Sequence, residues 1–138
     1  MKRILQPRGW PAPAGYSNGI EAEGRQIFVA GQIGWNERGE IVSPDFAEQS
    51  AQALRNIVAV LHEAGAAPEH VVRLTWYVVD KSEYESARKR LGLLYREVMA
   101  EHYPAMTLVQ VAGLLEPGAK VEIEATAVLP PGPQARKE

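Results

Sequence analysis

The pattern of apolar and polar positions is clearest near the end of the chain. From Lys120 to Leu129, Val121, Ile123, Ala125 and Ala127 alternate with Lys120, Glu122, Glu124 and Thr126. Side chains on a strand alternate with period two, so this segment predicts a strand with one apolar face and one face carrying two carboxylates. A solvated edge does not need that arrangement, and a polar site between subunits does. Thr107 to Val111 predicts the preceding strand, joined to it through Leu114-Leu115-Glu116-Pro117-Gly118. Upstream, Gln26 to Ile33 alternates, with Ile27 and Val29 on one face and Phe28 and Ala30 on the other. A short strand is predicted over Tyr16–Glu21, a turn at Gly24-Arg25, and a hairpin turn at Glu37-Arg38-Gly39-Glu40. Val71 to Val79 is nearly continuous in apolar, β-branched residues and reads as a strand buried on both faces.

Two segments change period. Phe46, Ser50, Ala53, Ile57, Leu61 and Ala64 recur at helical spacing. Ser43 is placed to cap this helix, Pro44 suits its first position, Asp45 favours its positive end, and Gly65 ends it. Ser82 is placed to cap a second helix, with Tyr84, Arg88, Leu91, Tyr95, Val98 and His102 along one side. Pro104 forbids its continuation.

The expected order is β-β-(β)-α-β-α-β-β, an α+β domain with two helices on one face of a mixed sheet. By strand parity the other face holds Arg73, Thr75, Tyr77, Glu122 and Glu124 together with apolar groups. A mixed face of that kind predicts an oligomer. Residues 1–14 read as an irregular N-terminal arm, 15–129 as one domain, and 130–138 as a disordered tail.

Composition narrows the partners. The chain has 138 residues, 46% of them hydrophobic and 23% charged, the range of a single soluble globular domain. A net charge of −2 with well-mixed signs predicts neither a nucleic-acid nor a membrane partner. The absence of cysteine excludes disulfides, thiolate nucleophiles and Cys-based zinc sites. The basic N-terminus lacks a leader's apolar segment, and no apolar run approaches the ~20 residues of a membrane span, so a cytoplasmic protein is expected. His62, His70 and His102 show no metal-binding spacing, Gly31-Gln32-Ile33-Gly34 is not a phosphate loop, and there is no nucleophile elbow.

Several segments in series resemble the RidA/YjgF/L-PSP (Rid) family. They are Gly15-Tyr16-Ser17-Asn18-Gly19, Phe28-Val29-Ala30-Gly31-Gln32-Ile33-Gly34, Gln49, Ala53-Leu54 and Asn56-Ile57. Ala64-Gly65-Ala66, Pro104-Ala105 and Val121-Glu122-Ile123-Glu124-Ala125 complete the series. The resemblance implies a chorismate-mutase-like fold and a homotrimer with clefts between subunits. It also implies hydrolysis of enamines and imines to keto acids and ammonia, without metal or cofactor. Tyr16, Gly31 and Glu122 fit the family's site. The Arg that follows Pro-Ala in the family, and grips a substrate carboxylate, is Met106 here. That exchange removes a permanent charge and five N–H donors.

The candidate catalytic residue is therefore Glu122, as a carboxylate that positions or deprotonates water. Tyr16, Gly31, Met106, Thr107 and Trp35 are candidates to bind a small-molecule substrate, larger or less acidic than 2-aminoacrylate. Backbone groups near Gly31 and Met106-Thr107 are placed to bind a developing negative charge. The expected function is a deaminase-like Rid hydrolase. Its alternative is a non-catalytic trimer that binds a metabolite or regulates a partner enzyme. A ribonuclease or translation inhibitor, the family's older label, fits the charge pattern less well.

Overall fold

The computed structural model describes residues 2–131. The expected tail at 130–138 therefore lies outside the described residues from position 132 onward. Its elements are β1 (Lys2–Leu5), β2 (Gly19–Ala22), β3 (Arg25–Gln32), α1 (Phe46–Glu63), β4 (Val71–Val78), α2 (Lys81–Met99), β5 (Ala105–Gln110) and β6 (Val121–Leu129). The fold is α+β. A mixed four-stranded sheet runs β3-β6-β4-β5, with β4 and β5 parallel and the other pairs antiparallel. The expected arm is not irregular throughout, because Lys2–Leu5 pairs antiparallel with Gly19–Ala22 as a separate two-stranded ribbon. The local pattern of residues 2–5 does not announce a strand, and the partner 14 or more residues away supplies its hydrogen bonds. The bracketed strand before α1 is reduced to a single bridge between Trp35 and Ile41.

Both helices pack on the apolar face of the sheet. Val121, Ile123, Ala125 and Ala127 are buried there with Leu74, Trp76 and Val78. Leu54, Ile57 and Leu61 of α1 and Leu91, Tyr95 and Met99 of α2 close over them. The β4 run is thus covered on one side only, since Arg73 is exposed and Tyr77 half-buried. Its unbroken apolar appearance comes partly from an irregularity in the β4–β6 ladder between Val71 and Arg73, which lets Val71 and Leu74 both turn inward.

Each helix is capped by an aspartate rather than the expected serine. Asp45 is the N-cap of α1 and accepts from the Glu48 N–H at 2.9 Å, so Pro44 stands outside the helix. Ser43 instead accepts from the Asp45 N–H through its Oγ. Asp80 caps α2 and accepts from both the N–H and the hydroxyl of Ser82. A carboxylate there also meets the positive helix end, which a hydroxyl cannot match. The end of α1 is a two-bond stop. Gly65, at φ 76°, donates to His62 O and Ala66 donates to Leu61 O, which satisfies the last carbonyls.

One buried side chain fixes the start of β6. Gln49 is fully buried, and its amide donates to Ser43 O (2.9 Å) and Gly118 O (3.0 Å) while its oxygen accepts from the Lys120 N–H (2.8 Å). Gly34 lets the end of the β3 segment lie directly on this residue, since a Cβ there would sit 2.6 Å from Gln49 Cα. The glutamine therefore ties α1 to the loop from which Glu122 follows.

Candidate functional site

The sheet divides the expected site residues into two groups. Glu122 pairs across the ladder with Tyr77, and Glu124 with Thr75, so all four project from the open face. Phe28, opposite Thr126 on β3, shares that face and is 72% exposed. A shallow depression of about 400 Å³ lies here, lined by Phe28, Ala30, Arg73, Thr75, Glu124 and Thr126. The Tyr77 hydroxyl donates to Glu124 at 3.0 Å. That bond, ahead of burial and the nearby carboxylate charges, raises the tyrosine pKa.

Glu122 has a seat made by a missing side chain. A Cβ on Gly31 would fall on the Glu122 carboxylate, with Cδ at 2.7 Å and Cγ at 2.8 Å. The irregular register between Val29 and Gln32 turns the Gly31 backbone at this point. Gly31 is therefore required by the position of the carboxylate, independently of any substrate.

Met106 lies elsewhere. In the parallel ladder it pairs with Leu74, so it faces the helices and packs against the core with Leu108. Thr107 pairs with Thr75 and faces the open side. Met106 lies beside the middle of β4 and Glu122 beside its end, which separates them by three residues of β4, roughly 10 Å along the strand. They are also on opposite faces and two strands apart. Within one chain the structure does not bring Met106 and Glu122 together.

Tyr16 belongs to the Met106 group. Its neighbour Ser17 is buried, donates its N–H to Pro104 O (3.0 Å) and its hydroxyl to Tyr103 O (2.5 Å), and bridges to Ala105. Those bonds hold the Gly15-Tyr16 segment beside the start of β5. Trp35 joins neither group. Its loop is held over α1, where the Asn56 amide donates to the carbonyls of Ile33 and Trp35, and it lines none of the described cavities. Within a single chain Trp35 therefore lies apart from both groups, because the Gly34–Gln49 contact draws its loop onto the helix.

A second cavity, of about 240 Å³, opens between α2 and the sheet on the Met106 side. Trp76, Tyr84, Tyr95, Tyr103 and Met106 form much of its wall. Tyr95 stacks on Tyr103 with centroids 5.6 Å apart and donates to His102 O at 2.6 Å, and burial raises its pKa strongly. Arg88, Gly92 and Arg96 of α2 complete the wall. The pattern shows the tyrosine and leucine positions of α2 as one side of a helix, but Arg88, Gly92 and Arg96 carried no functional reading there. Their spacing of i, i+4 and i+8, which sets them in one row, was the available signal. Among the described residues, no three His, Asp or Glu side chains are grouped so as to hold a metal ion.

Comparison with known proteins identifies the family and the fold. Residues 9–129 match the family model described as Endoribonuclease L-PSP. The chain belongs to this family, the Rid/YjgF/L-PSP group. It is 36% identical over 129 residues to a RutC family protein of Pyrococcus horikoshii, covering 92% of this chain and 98% of the relative. It is 31% identical over 133 residues to human 2-iminobutanoate/2-iminopropanoate deaminase, covering 95% and 93%. Among solved structures, the Rid family protein YyfB of Yersinia pestis superposes with a TM-score of 0.79 at 36% identity, covering 93% of this chain and 98% of that one. The structure of Escherichia coli TdcF with bound serine superposes at 0.66 with 29% identity, covering 92% and 98%. No helix among the described residues is long and apolar enough to cross a membrane.

Proposed function

We propose that this Rid-family protein is a deaminase-like hydrolase that converts an imine, or the imine tautomer of an enamine, to a carbonyl compound and ammonia in a cleft between copies of the chain. The observation that carries this reading is the split between Glu122 on Gly31 and the Met106–Tyr16 group. A site that uses both needs Glu122 from one copy and Met106 from another. An open face bearing Phe28 at 72% exposure suits burial against a second copy, and a closed homotrimer satisfies that need on all three chains at once. The named deaminase relatives supply the reaction class.

The chemistry asked of the chain is modest. Water adds through oxygen to the C=N carbon, and the resulting C–N single bond then breaks with release of ammonia. One water is consumed. Glu122 takes a proton from the attacking water and returns it to nitrogen, then passes the new hydroxyl's proton to nitrogen as the C–N bond breaks, a role that contributes typically 10²–10⁴-fold. Backbone N–H groups near Gly31 and Thr107 donate hydrogen bonds to the atom on which negative charge develops. Met106 offers a flexible apolar surface and no charge, which disfavours a substrate as small as 2-aminoacrylate.

The test supplies 2-imino acids of graded side-chain size, generated in place by an amino-acid oxidase, and follows keto acid and ammonia release. Turnover that drops about 10²-fold or more in Glu122→Gln supports the reading. Release no faster than in buffer, for every imine offered, refutes it. Met106→Arg is expected to raise turnover of 2-aminoacrylate. A second reading, a trimer that holds a metabolite without turnover, is favoured by the relative solved with bound serine. It predicts tight binding and indifference to Glu122→Gln.

A further inference from the structure

We propose that the cavity between α2 and the sheet binds a carboxylate carried on an aromatic or bulky apolar body, with Arg88 and Arg96 supplying the positive charge that Met106 does not. This rests on the reading that the Met106 side of the cleft receives the substrate, and it names the class of substrate.

Three independent features of the wall converge on this. The first is charge. Arg88 and Arg96 border the cavity, and among the described residues neither pairs with a carboxylate. Arg90 differs, since it is held by Asp45 at 2.7 Å and by Glu48. Arg88 stacks 5.7 Å from the Tyr84 ring centroid, which orients its guanidinium and leaves its donors free for an anion.

The second feature is a glycine in the wrong place for a helix. Gly92 lies in the interior of α2, where alanine is the better residue. Nothing in the packing demands glycine, since a Cβ there would meet only the Arg96 guanidinium, at 3.8 Å. What the absent side chain leaves is room in the cavity wall, midway between the two arginines. Arg88 and Arg96 are each four residues from Gly92, about 6 Å along the axis; Arg96 reaches back to that gap, while Arg88, stacked over Tyr84, borders the cavity one turn further toward the start of α2.

The third feature is the wall's chemistry. Trp76 is 2% exposed, and its Nε1 is the buried side-chain polar atom left without a hydrogen-bond partner among the described residues. That nitrogen is closed off from the cavity, so it is no contact for a bound molecule. The tyrosine rings and Met106 present apolar, polarisable surface to a planar body. A volume of about 240 Å³ admits one ring and a short acid chain, and excludes a nucleotide.

The test is calorimetric titration of the full chain with phenylpyruvate, with pyruvate, which lacks the ring, and with phenylacetone, which lacks the carboxylate. Phenylpyruvate is expected to bind about tenfold or more tightly than either. The double variant Arg88→Gln/Arg96→Gln is expected to lose that preference over phenylacetone, and Arg88→Lys/Arg96→Lys to keep part of it. Gly92→Leu is expected to abolish binding without lowering the melting temperature, which separates a filled cavity from a damaged fold. Phenylpyruvate binding that is absent, or that survives at wild-type strength in the double glutamine variant or in Gly92→Leu, overturns the proposal. Titration reads binding alone, so the two readings fail separately. Arginine-dependent binding without ammonia release keeps the pocket and sinks the deaminase. Imine turnover whose KM ignores Arg88 and Arg96 does the reverse.

Discussion

The two faces of the four-stranded sheet carry opposite kinds of instruction. On the helix side, Leu74, Val78, Val121 and Ile123 are fully buried and interlock with both helices. On the open side, Phe28, Arg73, Tyr77 and Glu124 leave the backbone in the same ladder yet lack a covering layer. The helix face spends its residues on volume, where any change of shape is felt. The open face holds hydrogen-bonding and charged groups beside the rings of Phe28 and Tyr77, without a covering layer. The difference separates residues that hold the chain's own core together from residues exposed on the other side of the same sheet.

The comparison breaks most sharply at Ile123. Ile123→Ala is expected to cost about 2–5 kcal/mol in chemical denaturation, because it opens a cavity under both helices. An effect below ~1 kcal/mol would show that the helix face is loosely packed. Phe28→Asp probes the opposite face. It is expected to leave the secondary structure intact and to move the sedimentation profile toward monomer, since a charge would be buried against a second copy. An unchanged profile would show that Phe28 is no contact.

Asp45→Ala tests the cap on the helix side and is expected to cost about 1 kcal/mol at neutral pH. Its carboxyl is held below the ordinary range, chiefly by the Glu48 N–H and then by Arg90. A lowered folded-state pKa gives stability above the unfolded value that is lost as pH falls through the folded one. Denaturation curves of wild type and variant should therefore converge below about pH 4. A gap that persists there would assign the effect to packing. The smallest effect is expected for Tyr77→Phe, which removes an exposed hydrogen bond to Glu124 and should change stability by less than ~1 kcal/mol. A larger loss would mean that the pair is buried in the assembled protein.

Much of the fold was legible in the chain because it rests on periods. The 2-residue alternation of β6 and the helical stripe of α1 survive any plausible packing. The errors have local causes. Ser43 and Ser82 are plausible caps by type, but each has an aspartate within two residues that also suits the helix charge. The strand at Lys2–Leu5 depends on a partner at Gly19–Ala22. For the candidate site, Gly31 beside Glu122 was suggested by resemblance, and the geometry supplies its reason, that a Cβ would displace the carboxylate. The aromatic cavity under α2 was not legible, since its wall is gathered from β4, α2, β5 and the Gly15 segment.

The sequence alone determined which residues of each well-patterned strand share a face, and so set Glu122 and Glu124 opposite the core. It did not determine where Met106 points. Ala105-Met106-Thr107-Leu108-Val109 is apolar on both sides of its alternation, and a shift of one residue turns every side chain to the other face. Only the parallel register against β4, Leu74 beside Met106, decides that the methionine faces the helices and Thr107 the open side. That register sets Met106 on the helix side and Glu122, two strands away, on the open side, a separation that the alternation of either strand alone does not fix.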